Sequence, residues 1–356
     1  MKILVFGFRA NYQLFDKFYK NDVRLANSFS FEFHDLTKIH DPLRTIQSGQ
    51  KEITIHENIR TVREVIDTNT NCIVIFWGWI VHDISEILKC CKNANITTIG
   101  NDLAYPGITK GLSWFGSIRY RISTKNKYDY TVVEGLHKSK IYNLCGKKTI
   151  LLYSSEYIDF INRKVTSKAE STKELLVYID QNFEYHWDFK VGLLDKKKSF
   201  IEYYKTIDAQ LFKIAENENL KYVVCLHPTQ AVEQAKDLFP FANLSKGEVQ
   251  EMISRAKYVV GHYSQALSFA HLQNKQIAIL DVPKEFSDGV HMQTTRYASE
   301  LKKTKAPVND IKKDNFTYIK PDIRRKFIAK YICADSSNTM AKALVKLCIK
   351  KTGQKL

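Results

Sequence analysis

Residues 221–230 read KYVVCLHPTQ. Tyr222, Val223, Val224 and Cys225 make an unbroken apolar run, the pattern of a strand buried on both faces. The run passes through Leu226 into His227 and Pro228. Proline cannot donate to a sheet ladder, so the strand ends there. A proline at that place also suits the first turn of a helix, which would hold His227 at the rim where a sheet meets a helix N-terminus.

The same rhythm extends in both directions. Upstream lie the strand ELLVYID (174–180) and the long helix FIEYYKTIDAQLFKIAENE (200–218). Downstream come the helix GEVQEMISRA (247–256), the strand KYVVGHYS (257–264), the helix QALSFAHLQN (265–274) and the strand QIAILDVP (276–283). The first half repeats it with strands in KILVFGF (2–8), FSFEFHDL (29–36), CIVIFWGW (72–79), ITTIG (96–100), YDYTVVEG (128–135) and KTILLYSS (148–155). Helical patterns fall at 10–21, 58–68 and 83–94. Continuous apolar strands separated by helices predict parallel sheets covered on both faces.

The polar stretch NRKVTSKAESTK (162–173) is the break between the two patterns and is read as an interdomain linker. The expected organisation is a Rossmann-like domain over 1–165, a second over 170–330, and a basic helix over 331–356. A chain of 356 residues has the length for two such cores.

Composition narrows the class. With 44 % hydrophobic and 26 % charged residues the chain is an ordinary globular one. No window approaches the roughly 18 apolar residues of a membrane span. The opening MKILVFGFRANYQ reads as a first core strand rather than a signal peptide. Seven cysteines without a C-x-x-C pair argue for reduced thiols in a cytoplasm and against a zinc site. The net charge of +16 calls for an anionic partner or a strongly hydrated surface. The final MAKALVKLCIKKTGQKL (340–356) reads either as a basic amphipathic helix resting on anionic lipid or as a solvated helix packed on the body.

In open parallel sheets ligands bind beyond the carboxyl ends of the strands, so the strand exits are where a site belongs. His227 and Pro228 form one exit, where an imidazolium would favour a phosphate. Gly261, His262, Tyr263, Ser264 and Gln265 form a second, with Ser264 as helix N-cap, phosphate donor or both. Asp180 and Gln181 form a third, and Gly247 with Glu248 opens a helix at a place where a carboxylate can complement the dipole or hold a ribose. In the first domain Gly78 and Trp79 end one strand. Asn101 and Asp102 end another, before a loop shaped by Pro106, Gly107 and Gly111. A carboxylate there suits a general base, and it equally suits a turn.

With these residues in view, the chain resembles the bacterial capsule-polysaccharide and lipopolysaccharide transferases of the KpsC and KpsS type, which transfer Kdo from CMP-Kdo. The resemblance lies in VIFWGW (74–79) with NANITTIGNDLAYPGITKG (93–111), in LLVYIDQN (175–182), in VVCLHPTQ (223–230), and in ISRAKYVVGHYSQALSFAHLQNKQIAIL (253–280). It covers residues 70–285 in patches. Similar His-Pro and serine elements occur in bacterial sialyltransferases and in the CDP-glycerol polymerases of teichoic acid synthesis.

The resemblance implies a GT-B α/β fold of two Rossmann-like domains facing a cleft, and a cytidine-nucleotide donor. By it, His227 and Ser264 hold the CMP phosphate and Pro228 sits against the cytidine. Gln181, Tyr263, Gln265 and Glu248 complete the donor site, and Asp102 supplies the catalytic carboxylate. The family's acidic-acidic-Gly motif is here Asn101-Asp102-Leu103, so Glu134 and Asp180 stand as rival bases.

The implied enzyme transfers a sugar acid, Kdo or a sialic-acid-like nonulosonate, to a glycan or lipid-linked acceptor. It needs no cofactor beyond the CMP-sugar and no metal, and it works in the cytoplasm with a peripheral contact at the anionic inner membrane. Lys110, Arg119 and Arg121 are candidates to receive an anionic acceptor. Two other readings stay open: a UDP- or dTDP-sugar or CDP-glycerol donor on the same fold, and a non-catalytic basic protein binding nucleic acid or an anionic polymer. No nucleic-acid motif is present.

Overall fold

The computed structural model describes residues 2–7, 29–40, 53–77, 84–102, 128–136, 148–154, 157–158, 160–161, 174–186, 189, 194–333 and 340–352. The expected linker at 162–173 and the helix expected at 10–21 lie outside them. Among the described residues, the chain up to Ile158 and from Ala329 onward gathers into one compact unit, and the stretch between forms a second.

The first unit holds seven parallel strands: β1 (Lys2–Gly7), β2 (Ser30–Asp35), β3 (Ile53–Ile55), β4 (Cys72–Trp77), β5 (Thr97–Asp102), β6 (Tyr130–Glu134) and β7 (Thr149–Leu152). Their order is β3-β2-β1-β4-β5-β6-β7. The second holds β8 (Leu175–Ile179), β9 (Lys221–Cys225), β10 (Asn243–Ser245), β11 (Ala256–Gly261), β12 (Gln276–Leu280) and β13 (Lys305–Ala306). They run β10-β9-β8-β11-β12-β13, every neighbouring pair parallel. Both sheets therefore wind outward from their first strand in two directions, the doubly wound order of the Rossmann fold. In each, the winding reverses between the first and fourth strands: β1 and β4 in one, β8 and β11 in the other.

The reason is in the strands. Leu4, Phe6, Val74 and Phe76 pack with Val62 and Ile66 of the helix Ile59–Thr68 and with Ile87 and Leu88 of the helix Ser85–Asn93. Their alternates Ile3, Val5, Ile73 and Ile75 are equally buried, so both faces of the sheet are covered. In the second sheet Leu176, Tyr178, Tyr222, Val224, Tyr258 and Val260 meet Tyr204, Ile207 and Leu211 of the helix Ile201–Asn217. Each such side chain contributes about 1.5–3 kcal/mol on burial.

Three helices stop in the same way. Asn95, Asn219 and Asn274 take left-handed backbone, φ 53°, 51° and 53°, one residue past the helix caps Ala94, Glu218 and Gln273. The next amide in each case bonds five residues back, Ile96 to Cys91 (2.8 Å), Leu220 to Ala215 (2.8 Å) and Lys275 to Ala270 (3.0 Å). This is the Schellman closure, with asparagine in the place glycine usually takes. It turns the chain straight into β5, β9 and β12.

No helix among the described residues is long and apolar enough to cross a membrane. In the C-terminal helix Met340–Thr352, which belongs to the first unit, Leu344 is buried and Lys342 and Lys346 are exposed.

Candidate functional site

The carboxyl edge of the second sheet gathers the exits of β8, β9 and β11. At the end of β8 the Asp180 carboxylate accepts the Asn182 N–H (2.9 Å), and Asn182 takes φ 53°. This Asx turn swings Gln181 so that its Oε1 accepts the Tyr263 N–H of the β11 exit (3.1 Å). The bond spans the strands between which the winding reverses, so it fixes one lip of the switch point to the other.

Asp180 is 2 % exposed. Burial pushes its carboxyl up to about 6, against the N–H groups of Asn182, Gln181 and His227 and the Tyr204 hydroxyl, which favour the charged form. The fold buries Asp180, which stood as a rival base. Asp180 lies under the turn, ordering the exits of both β8 and β9.

Phe183 then donates to the Tyr204 hydroxyl (2.6 Å), and Glu184 accepts the Phe200 N–H (2.6 Å) and the Lys196 ammonium (2.7 Å). The loop is thereby tied to the start of the helix Ile201–Asn217, where a carboxylate complements the dipole.

The β9 exit differs from expectation in two respects. Pro228 does not open a helix. It is the second residue of a β-turn closed by Gln230 N–H to His227 O (2.9 Å), and the helix Val232–Leu238 begins after it. His227 is also not an imidazolium in the ligand-free fold. Burial, and secondly the neighbouring His186, bring its pKa down to about 4. The Thr229 N–H donates to His227 Nδ1 (3.3 Å), with the Thr229 hydroxyl 2.8 Å from the same atom. Nδ1 therefore carries the lone pair and Nε2 the proton, so the half-buried ring offers a neutral N–H donor. His186 lies with its ring centroid 5.4 Å from that of His227, tilted by 60°.

At the β11 exit, Ser264 is not the helix N-cap, a position taken by Ala266 ahead of Leu267–Leu272. Its hydroxyl instead accepts the Ala266 N–H (3.3 Å) while its carbonyl takes the Leu267 N–H (3.0 Å). Tyr263, Ser264 and Gln265 are half-buried along this turn. His262 points into the core. The Tyr203 hydroxyl donates to Asp281 O (2.7 Å), so it accepts from His262 Nε2 (2.9 Å), and burial drives this imidazole down to about 3.

Glu248 stands at the N-cap of the helix Val249–Arg255, exposed and without a side-chain cap bond. It is close enough to Cys225 to help burial raise that thiol to about 12. Beside it Lys246 donates to Gln230 O (2.8 Å). Gln230 is fully buried, and neither end of its carboxamide has a hydrogen-bond partner among the described residues.

Asn182, His186, Gln230 and Lys246 were absent from the expected site. The signal for Asn182 was present, an asparagine two residues past an aspartate at a strand end. The His186–His227 proximity has no spacing signature.

The first unit's described exits are arranged otherwise. At the ends of β2 and β3, the Thr61 hydroxyl donates to Asn58 O (2.9 Å), so His56 Nδ1 donates to Thr61 Oγ1 (2.8 Å). His56 Nε2 then accepts from His34 Nδ1 (2.9 Å). Both rings are buried, and desolvation lowers both pKa values, that of His34 to about 4. Asp102 and Glu134 end β5 and β6, with Asp102 paired to Val133 in the ladder, but their side chains lie outside the described residues. The positions Gly78, Trp79, Pro106, Gly107, Lys110, Gly111, Arg119 and Arg121 lie outside them as well.

No protein-family model matches the sequence, and no curated protein matches it. Solved structures do match. The S. aureus MnaA–UDP co-structure aligns at TM-score 0.56 and 10 % identity, covering 100 % of this chain and 98 % of that one. The UDP-GlcNAc 2-epimerase from Neisseria meningitidis bound to UDP-GlcNAc aligns at 0.53 and 12 %, covering 98 % and 100 %. A further UDP-N-acetylglucosamine 2-epimerase structure aligns at 0.56 and 11 %, covering 100 % and 97 %. The likeness is one of fold: the chain has the GT-B fold, with two Rossmann-like domains.

Proposed function

We propose that the chain is a sugar-nucleotide enzyme that holds a UDP-activated sugar at the carboxyl edge of the second sheet and transfers the sugar to an acceptor hydroxyl. The observation that carries this is the Gln181–Tyr263 bond across the switch point, with the His227 N–H donor on the adjoining exit. A doubly wound sheet binds its ligand at that place. His227 Nε2 and the Ser264 turn supply donors for a diphosphate, and such donors act most strongly on the negative charge that gathers as the nucleotide departs.

The uridine nucleotide is favoured over the cytidine one because the ligands named for the aligned structures are UDP and UDP-GlcNAc. The cytidine reading, with Kdo or a nonulosonate as the sugar, rests on the His-Pro and serine elements alone. Asp102 is the proposed base, with Glu134 as its alternative. A base contributes to the reaction without holding the nucleotide, so Asp102→Asn is expected to keep binding and lose turnover.

A second reading has its own support: two of the aligned structures carry the description UDP-N-acetylglucosamine 2-epimerase over nearly the whole chain. One experiment separates these readings. Thermal stabilisation is measured with UDP, UDP-GlcNAc, CDP, CMP and CMP-sialic acid, and the stabilising sugar nucleotide is then followed by NMR. Release of free nucleotide in the presence of an acceptor supports transfer. Conversion to an epimer without release supports epimerisation, and stabilisation by CMP alone restores the cytidine reading. No stabilisation by any of them removes the proposal.

A further inference from the structure

We infer that His186 joins His227 as the second imidazole of a diphosphate seat, so that the protein takes up a proton when the nucleotide binds. The inference deepens the proposed nucleotide site and rests on it.

The geometry comes first. β8 and β9 are parallel neighbours with Ile179 level with Cys225, so their exits leave the sheet side by side. The β8 exit runs through the Asx turn to His186, and the β9 exit reaches His227 within two residues. Their rings stand 5.4 Å apart at 60°, close enough for one phosphate to touch both. The orientation of His227 is held by Thr229 on Nδ1, which leaves Nε2 as its proton-bearing atom. The exposed Tyr185 precedes His186, so this part of the loop is open to solvent.

The energetics follow from the same contacts. In the free protein, burial and then the charge of a protonated His186 oppose protonation of His227. Two imidazoles this close resist sharing positive charge until an anion lies between them. A diphosphate reverses the second of these effects and compensates the first, because an opposite charge within hydrogen-bond reach favours the protonated form.

Other charged or titratable groups lie on the neighbouring elements. From β8, Asp180 lies beneath, its carboxylate facing the N–H groups of Asn182, Gln181 and His227. From the β10 exit, Lys246 donates to Gln230 O, and Glu248 acts on the Cys225 thiol. In the helix after the turn, Glu233 pairs with Lys236.

The test is calorimetric titration of the full chain with UDP-GlcNAc at pH 7.5, in buffers of different ionisation enthalpy, with CMP titrated in parallel. UDP-GlcNAc is a diphosphate diester whose phosphates do not titrate near neutrality, so any proton taken up belongs to the protein. The expected result is uptake approaching one proton per nucleotide, as linkage requires when a bound-state pKa rises above the working pH. His186→Gln is expected to halve that uptake or better and to weaken binding about tenfold, the scale of one charge-assisted hydrogen bond. Its melting temperature serves as the folding control, and the wild-type measurement stands without it. Binding with no proton uptake overturns the inference and leaves the nucleotide reading intact. Unchanged uptake in His186→Gln places the proton elsewhere and also overturns it. If neither UDP-GlcNAc nor CMP binds at millimolar concentration, the nucleotide reading fails and the inference with it.

Discussion

The two sheets are wound alike and finished differently. In the second unit, the exits of β8, β9 and β11 are tied to one another by Asp180, Gln181 and Tyr263, and the ties leave the His227 N–H donor at the rim. In the first unit, the described exits of β2 and β3 close on themselves. The donor of His34 is used by His56, that of His56 by Thr61, and that of Thr61 by Asn58. A strand exit is available to a ligand when its internal hydrogen bonds orient a polar group without consuming it. The same imidazole chemistry is therefore left at the rim of one unit and consumed by packing in the other.

The comparison breaks most visibly at His227. His227→Ala is expected to lower turnover roughly a hundredfold, the effect of removing one preorganised donor to a departing oxyanion. Because the ring is half-buried and outside the core clusters, the melting temperature should change little. A large fall in melting temperature with normal turnover in the surviving protein would make His227 a packing residue, like His34.

Acid should separate the two units. His34 and His56 have folded pKa values below their unfolded ones, so the unfolded chain binds those protons first. The contribution of His34 is whole above about 6.5 and is lost as pH falls toward 4, and that of His56 is lost in the same direction. In the second unit His227, His262 and His271 act in the same direction. Asp180 and Asp208, raised from 3.8 to about 6, act in the opposite one, because the folded state keeps their protons through that window. Among the described residues, the first unit thus has lowered histidines with no raised carboxylate to oppose them, whereas the second sets three against two. Hydrogen exchange between pH 6.5 and 4.5 should show β1, β2 and β4 losing protection before β8, β9 and β11. His34→Gln should narrow the gap, and the reverse order of loss would refute the comparison.

Gln181→Leu sharpens it at lower amplitude. It leaves the Tyr263 N–H without its acceptor, and nucleotide affinity should fall about tenfold, the worth of a bond to a half-buried amide and the order it maintains. The effect belongs in affinity, with the melting temperature within a few degrees of wild type. The smallest expected effect lies outside the edges. Asn219→Ala should cost about 1 kcal/mol in chemical denaturation, because alanine resists left-handed backbone, whereas Asn219→Gly should be close to neutral.

Much of this was readable beforehand in the strands. Apolar runs such as Tyr222–Cys225 and Ile73–Phe76 have no polar alternation, and that is sufficient for parallel sheets buried on both faces. Their exits could be found because Pro228 and Gly261 interrupt the runs. What could not be read depends on neighbours distant in sequence. The lowered pKa of His227 comes from burial and, secondly, from His186. The sealing of Asp180 requires the exits of both β8 and β9, and the His34–His56 pair joins residues 22 apart on two strands. The β-turn at 227–230 was misjudged because proline opens turns and helices alike, and only the fold shows which follows.

The return of the chain to the first unit has a consequence for synthesis. Ser154 N–H is satisfied by Ile332 O (2.7 Å), and Ala329 onward belongs with the first sheet. On the ribosome, the first domain begins and cannot be finished until the whole of the second has been made. The nascent chain thus carries a first unit without its last helices while β8 to β13 are made, an order opposite to the usual N-terminal-first assembly. Any trigger that delays the last helices leaves unfinished longest the domain that was translated earliest.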